Sequence, residues 1–438
     1  MAVKAGKKAG AKKKRPAAPA RKKKPAKGRR KKPKPLLVRF DPAEQARERA
    51  AQATGPRWFP WACQGRVAAR AGSLRETLAP PLELAWSVEL RAAAAGPPVA
   101  ADDGVVYVGD KEGRLRAFEL ETGRLRFLLR TDPILQASPA WPLVAQRLVP
   151  PDRVPVSGAA AVHAWHLYFG DDEGVFYGVR RGEPEVLWRK SAPLSLTARQ
   201  GGAYLAPLCA GELVVTADMD GNLYAADGRS GRTAFALFLR GRPAAPPALA
   251  PWRDLVLVAT RPLYPGESPR LHAVALDGQR RWARDLPFVP GPGLAATQDL
   301  VLVAGEGGLA AFSTEDGSPR WSLEGAPVTG GLALDGGRVL VPLEGGLRAV
   351  RLDGGEVEWE RAASGSFPVP LRGAAPLIAG DVAWLAYEGG LCALEVSSGK
   401  PLLRLRLPGD PVGGAVAAGG RLLVATTSGA MRAYAPGK

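Results

Sequence analysis

Three histidines and three cysteines are the scarcest reactive side chains in this chain of 438 residues, and their spacing decides which chemistry is available. His163 and His166 look like a metal pair. The run from Ala161 to Gly170 reads as one strand, in which successive side chains alternate faces, so the two rings are expected on opposite sides and no shared zinc is expected. His272 lies in a later apolar strand and is read as a core histidine. Cys63, Cys209 and Cys392 are isolated, which rules out a disulfide framework and a CxxC zinc ribbon and fits a reducing compartment. Asp102-Asp103 and Asp171-Asp172-Glu173 are carboxylate clusters at turn positions, where aspartate bonds the backbone. No nucleophile elbow, P-loop or dinucleotide fingerprint occurs. The expectation is a chain that is not an enzyme, with no catalytic residue, metal or cofactor.

Charge separates the chain into two parts. The net charge is +18, with 60 Lys or Arg against 42 Asp or Glu. Residues 1–39 hold 18 of the basic residues and no acid, so 60 − 18 = 42 basic residues remain to balance the 42 acids. The body is neutral and the arm carries the whole excess. Lys, Arg, Ala and Pro in short blocks offer nothing to bury, so a disordered tail is expected. It has neither the apolar run of a secretory signal nor, anywhere in the chain, the length of apolar sequence that a membrane span needs.

Lys12, Lys13, Lys14, Arg15, Arg21, Lys22, Lys23, Lys24, Lys27, Arg29, Arg30, Lys31 and Lys32 are the candidate polyanion contacts. Hydrated lysines on a flexible arm suit phosphate contact without base reading, so nucleic acid or another polyanion is the expected ligand. The segment resembles the Lys-Ala-Pro tails of linker histones, and Lys27-Gly28-Arg29-Arg30-Lys31-Lys32-Pro33 resembles a loose AT-hook. Arg240-Gly241-Arg242-Pro243 has the same core tetrapeptide but is read as a loop between strands. Residues 40–83 connect arm to body. Asp41-Pro42-Ala43-Glu44 has the signature of a helix start, and Trp58-Phe59-Pro60-Trp61 is an aromatic cluster expected to cap the following domain.

From residue 84 to the end the sequence repeats. Val105–Gly109, the turn Asp110-Lys111-Glu112-Gly113, a second strand Arg114–Phe118 and a second turn Glu121-Thr122-Gly123-Arg124 set a grammar that occurs eight times in all. Its first strand returns at 167–170, 213–216, 255–259, 300–304, 339–341, 382–386 and 422–426. A large ring follows the second turn at Trp86, Phe127, Trp188, Phe235, Trp282, Trp321 and Trp359, with Leu403 in its place in the seventh unit. Apart from one of 61, the spacings of 38 to 47 residues fit propeller blades. The eighth unit ends at Tyr434 without a ring-bearing strand, while Leu84–Leu90 is a ring-bearing strand without a blade. The N-terminal strand is therefore expected to complete the last blade, leaving no open sheet edge. The fold expected for residues 84–438 is an all-β, eight-bladed β-propeller.

Strand, Asp-x-x-Gly, strand, x-Thr-Gly-x, Trp resembles the pyrroloquinoline-quinone-type β-propeller repeat over residues 84–435. Asp110–Gly113, Glu121–Arg124 and Asp218–Tyr224 carry the match. That resemblance implies either a quinone-dependent dehydrogenase or a protein-assembly propeller of the cell envelope. The isolated cysteines depart from the vicinal pair of the dehydrogenases.

Long insertions fall between units at 131–157 and 190–204 and inside the fourth unit at 261–270. In a four-stranded meander these connections share one face. Trp141, Leu143, Leu263 and Tyr264, on proline-stiffened loops, are the expected anchors for a protein partner. The sequence thus reads as a monomeric cytoplasmic or nucleoid-associated scaffold. A quinone-dependent dehydrogenase and an envelope assembly factor are the alternatives.

Overall fold

A computed structural model describes residues 72–74, 77–131, 156–163, 166–172, 174–191 and 204–437. The arm with its candidate cations, the helix start at Asp41, the aromatic cluster at Trp58–Trp61, Trp141 and Leu143 lie outside them.

The described chain forms eight antiparallel sheets in sequence order, the eight blades of a β-propeller. In blade 1 a short innermost strand, Val99–Ala100, leads to Val105–Gly109, Arg114–Glu119 and the rim strand Leu125–Arg130. Second strands are buried along all but at most one end residue, and Val105–Gly109 throughout, because a blade has neighbours on both faces. Rim strands have only part of that cover, and Pro401–Arg406 alternates half-buried and exposed positions. This division explains the sequence pattern: continuous apolar runs inside, alternation at the edge.

Closure follows the expected route. Leu82–Glu89 pairs antiparallel with Ala430–Pro436, with Leu84 opposite Tyr434 and Trp86 opposite Ala433. The rim strand of blade 8 thus comes from the N-terminal end of the ring and its other three strands from the C-terminal end. Arg421 of blade 8 grips Glu121 of blade 1 through both guanidinium nitrogens, 2.7 Å for Nη1 to Oε1.

One packing rule repeats around the ring. Each rim residue that the sequence singles out stands opposite a small residue: Trp86 opposite Ala433, Phe127 opposite Ala117, Trp188 opposite Gly178, Phe235 opposite Ala225. Trp282, Trp321, Trp359 and Leu403 likewise face Ala273, Ala311, Ala349 and Ala393. A register shift adjoins each of these pairs, bending the rim strand where the ring inserts. The tryptophans then reach the next blade. Trp86 Nε1 donates to Leu120 O at 2.8 Å, Trp188 to Gly228 O at 2.8 Å, Trp321 to Leu352 O at 2.9 Å and Trp359 to Val396 O at 3.0 Å. Leu403 stands where the next blade has no covalent second turn, since the chain's two ends meet there.

One strand left no mark in the sequence pattern. Ser73–Leu74 adds to the inner edge of blade 7, parallel to Leu377–Ala379, with Ser73 opposite Ile378. Ile378 N donates to Gly72 O at 3.0 Å. The chain then crosses outward, where Trp384 Nε1 donates to Leu78 O at 2.9 Å, before entering the closing strand.

Candidate functional site

The second-to-third-strand turns and the blade-to-blade crossings lie on one face, called here the loop-bearing face. Four of its turns are fastened by a buried polar side chain at their start. Asp110 Oδ1 accepts the amides of Glu112 and Arg114 at 2.9 and 3.0 Å, and its Oδ2 accepts Arg116 Nη1 at 2.5 Å. Arg116 also donates to Leu90 O at 2.6 Å, tying the closing strand to blade 1. Asp171 accepts the Val175 amide at 2.8 Å and the Tyr177 hydroxyl at 2.9 Å. Asp218 does the same for Asp220, Asn222 and Tyr224. In blade 8 Thr426 Oγ1 accepts the Ala430 amide at 3.1 Å. These aspartates are spent on turn geometry, as the sequence implied.

In blade 4 Thr260 stands at that place, and His272 on the third strand is its partner, as Tyr177 and Tyr224 are the partners of Asp171 and Asp218. His272 Nε2 shares a hydrogen bond of 3.1 Å with Thr260 Oγ1, and the histidine is wholly buried. Burial, with the charges of Arg280 and Arg270, pushes its pKa down to about 4, so the ring is neutral at pH 7. It is a core histidine.

The expectation for the other two histidines needs correcting. Ala161 to Gly170 is not one strand: Val156–His163 ends and His166–Asp171 begins within it, and His163 is the direct cross-strand partner of His166. Directly opposed residues point to the same face. Burial lowers both pKa values, that of His166 to about 4 with the Arg229 charge adding to the effect. Among the described residues, no group of three or more His, Cys, Asp or Glu is placed to hold a metal ion.

Asp102 and Asp103 have a partner that sequence reading could not supply. Arg181, from the second turn of blade 2, lies 2.7 Å from Asp102 Oδ1 and 3.2 Å from Asp103 Oδ2, clasping blades 1 and 2 together. Asp172 sits 3.7 Å from Lys111. That pair lies on the loop-bearing face, whereas on the opposite turn face, where Arg181 meets Asp102 and Asp103, a cavity of about 700 Å³ opens between blades 5 and 6, lined by Asp299, Asp335, Arg338, Arg351 and Asp353 among others. Its cations are paired internally, Arg351 with Asp353 at 2.5 Å and Arg338 with Glu358 at 3.3 Å.

The loop-bearing face also leaves apolar groups open. Arg261–Arg270 is the connection between the second and third strands of blade 4, as expected. Tyr264 on it is 64% exposed and Leu263 is half-buried. Glu267 accepts the Tyr264 amide at 3.3 Å and Arg261 Nε donates to Pro290 O at 2.9 Å, so the loop is held at both its tip and its base. Beside it, the crossing from blade 3 carries exposed Phe238, at the end of the rim strand, and exposed Arg240 and Arg242, which the sequence placed in a loop. The described part of this face presents open rings and guanidinium groups on a rigid support, an arrangement for binding.

The family model described as outer membrane protein assembly factor BamB matches residues 139–291 and again 267–436. Among solved structures, BamB from Moraxella catarrhalis is 16% identical with a TM-score of 0.62, covering 81% of this chain and 98% of that one. A europium-containing methanol dehydrogenase is 12% identical with a TM-score of 0.69, covering 86% and 98%. A quinohemoprotein alcohol dehydrogenase from Comamonas testosteroni is 13% identical with a TM-score of 0.67, covering 89% and 83%. At such identities these likenesses concern the fold alone. Among curated proteins none matches. The two overlapping matches span most of the ring, and on them the chain belongs to the family of the outer membrane protein assembly factor BamB.

Proposed function

We propose that this chain is a non-enzymatic scaffold or adaptor of the cytoplasm, holding a protein partner on the loop-bearing face and nucleic acid or another polyanion through the arm of residues 1–39. The carrying observation is Tyr264, a largely exposed ring on a fastened, proline-rich loop of a rigid ring. Membership of a family described as an assembly factor supports the protein-binding half. The side chains with chemical potential support the non-enzymatic half, since His272, Asp110, Asp171 and Asp218 each serve a turn.

The same family match favours a second reading, assembly work in the cell envelope. Fractionation separates the two, because a membrane-bound pool would replace the cytoplasmic setting. For the redox alternative, Cys209 and Cys392 lie in different blades, and burial pushes the Cys392 thiol up to about 11. A stoichiometric visible chromophore after adding quinone and calcium would favour a dehydrogenase. The partner half is tested by Leu263→Asp with Tyr264→Ala. Both sites are accessible, so the melting temperature should hold within a few degrees while partner recovery from native cells drops at least tenfold. Unchanged recovery would contradict the reading.

A further inference from the structure

The crossing from blade 3 to blade 4 is pinned at two points while its charged side chains are free to reach outward. Leu239 is buried, and its amide donates to Gly221 O at 2.8 Å. Gly241 lies so close to blade 4 that a Cβ there would come within 2.7 Å of Thr260. Between and beside these anchors, Phe238 is 51% exposed, one ring edge resting near Gly221, and Arg240 and Arg242 are exposed. Arg240 takes φ = 56°, the left-handed conformation that glycine adopts without strain. An arginine therefore stands where the backbone alone would favour another residue.

Charge at this crossing is incompletely answered. Residues 238–243 contain two arginines and no acid. Arg242 is the direct antiparallel partner of Arg261, and like charges so placed repel. Asp220 is the carboxylate that feels Arg242, and its own pKa is raised by burial and by Asp218.

A second observation concerns the arm. Innermost strands run from the loop-bearing face, where the crossings arrive, toward the turn face. Ser73–Leu74 runs parallel to the innermost strand of blade 7, so Gly72 lies at the loop-bearing end. The described chain thus enters the ring on the face that carries the crossing, and residues 1–39, which precede it in the sequence, hold 18 of the chain's cations.

We propose that the crossing from Phe238 to Pro243 is a contact surface for single-stranded nucleic acid, with Arg240 and Arg242 on phosphates and Phe238 stacking a base. Guanidinium groups beside an open ring are the elements of sequence-tolerant single-strand binding. A duplex presents no free base face to Phe238. Leu263 and Tyr264 remain with the protein partner, so the two ligands meet on one face. The inference builds on the arm's polyanion reading but can fail separately from it.

The test uses the full chain and a fluorescein-labelled dT20 strand, with anisotropy read over a salt series. Phe238→Ala is expected to weaken binding by about fivefold or more. Arg240→Gln with Arg242→Gln is expected to lower the slope of log affinity against log salt by roughly 1.4, two phosphates at about 0.7 each. A bromodeoxyuridine-substituted strand, photocross-linked to the unaltered chain, is expected to mark the peptide containing Phe238. If the variants bind within twofold of the parent and cross-links fall only in residues 1–39, the proposal is overturned and the arm reading stands. If dT20 does not bind at all, both fall. Polyglutamate displacing the strand with equal potency, and equally from the Phe238→Ala variant, would assign the crossing to acidic proteins and also overturn the proposal.

Discussion

Trp86, on the strand that closes the ring, lies against Gly123 of blade 1 so tightly that a Cβ on that glycine would come within 2.7 Å of its Cδ2. The same contact recurs for Trp188 on Gly231, Phe235 on Gly278, Trp282 on Gly317, Trp321 on Gly355 and Trp359 on Gly399. Each of these glycines has a positive φ. One interaction thus fixes both a turn and the angle between two blades, which accounts for the joint recurrence of the glycine and the ring in the sequence.

Gly123→Ala is expected to cost more than the left-handed strain alone, which is about 1–2 kcal/mol. Gly389, with φ = 73° and open space around its Cα, is the control that carries the strain without the clash. Denaturant melts should rank Gly123→Ala clearly below Gly389→Ala. Equal losses would show that the ring contact contributes nothing. Trp86→Phe, which removes the bond to Leu120 O, is expected to lose about 1 kcal/mol.

Asp110 is fully buried and neutralises Arg116, itself almost fully buried. Asp110→Ala leaves that guanidinium without its counter-charge, at an expected cost of about 3–5 kcal/mol. Adding Arg116→Met should recover part of the loss, since the uncompensated charge is then gone. A double variant no better than the single one, by denaturant unfolding, would contradict this account.

His272 gives a pH dependence whose sign is fixed. Its folded pKa is about 4, below the ordinary 6.5, so the unfolded chain binds the proton more readily. Its contribution is complete above pH 6.5 and is lost as pH falls toward 4, by up to about 3 kcal/mol. His272→Gln should flatten the difference between melts at pH 7 and pH 4.5. A variant that keeps the parent's full acid sensitivity would place the effect elsewhere.

Blades and closure were legible because they rest on large residues at regular spacing and on a count of strands that left one over at each end. Turn aspartates were legible for the same local reason. The hairpin at His163 and His166 was not, because a single apolar run covers both strands and the two residues between them, Ala164 and Trp165, carry no glycine, proline or asparagine. Ser73–Leu74 is too short to show a period. Arg181 finds Asp102 and Asp103 only when blades 1 and 2 stack, a pairing between sequence positions nearly 80 apart that no local pattern encodes. The crossing at Phe238 reads as an ordinary loop until its exposure is known.

The claim that the loop-bearing face is the working surface is tested most directly within blade 4, which displays an exposed aromatic residue on each side. Tyr264 is 64% exposed on the loop-bearing face, and Trp252, in the connection from innermost to second strand, is 61% exposed on the turn face. A photoreactive amino acid placed at each position in turn, followed by irradiation of native cells, compares the two faces at equal exposure. A discrete protein adduct from position 264, with none from position 252, is the predicted result. An adduct from position 252 alone would contradict the account.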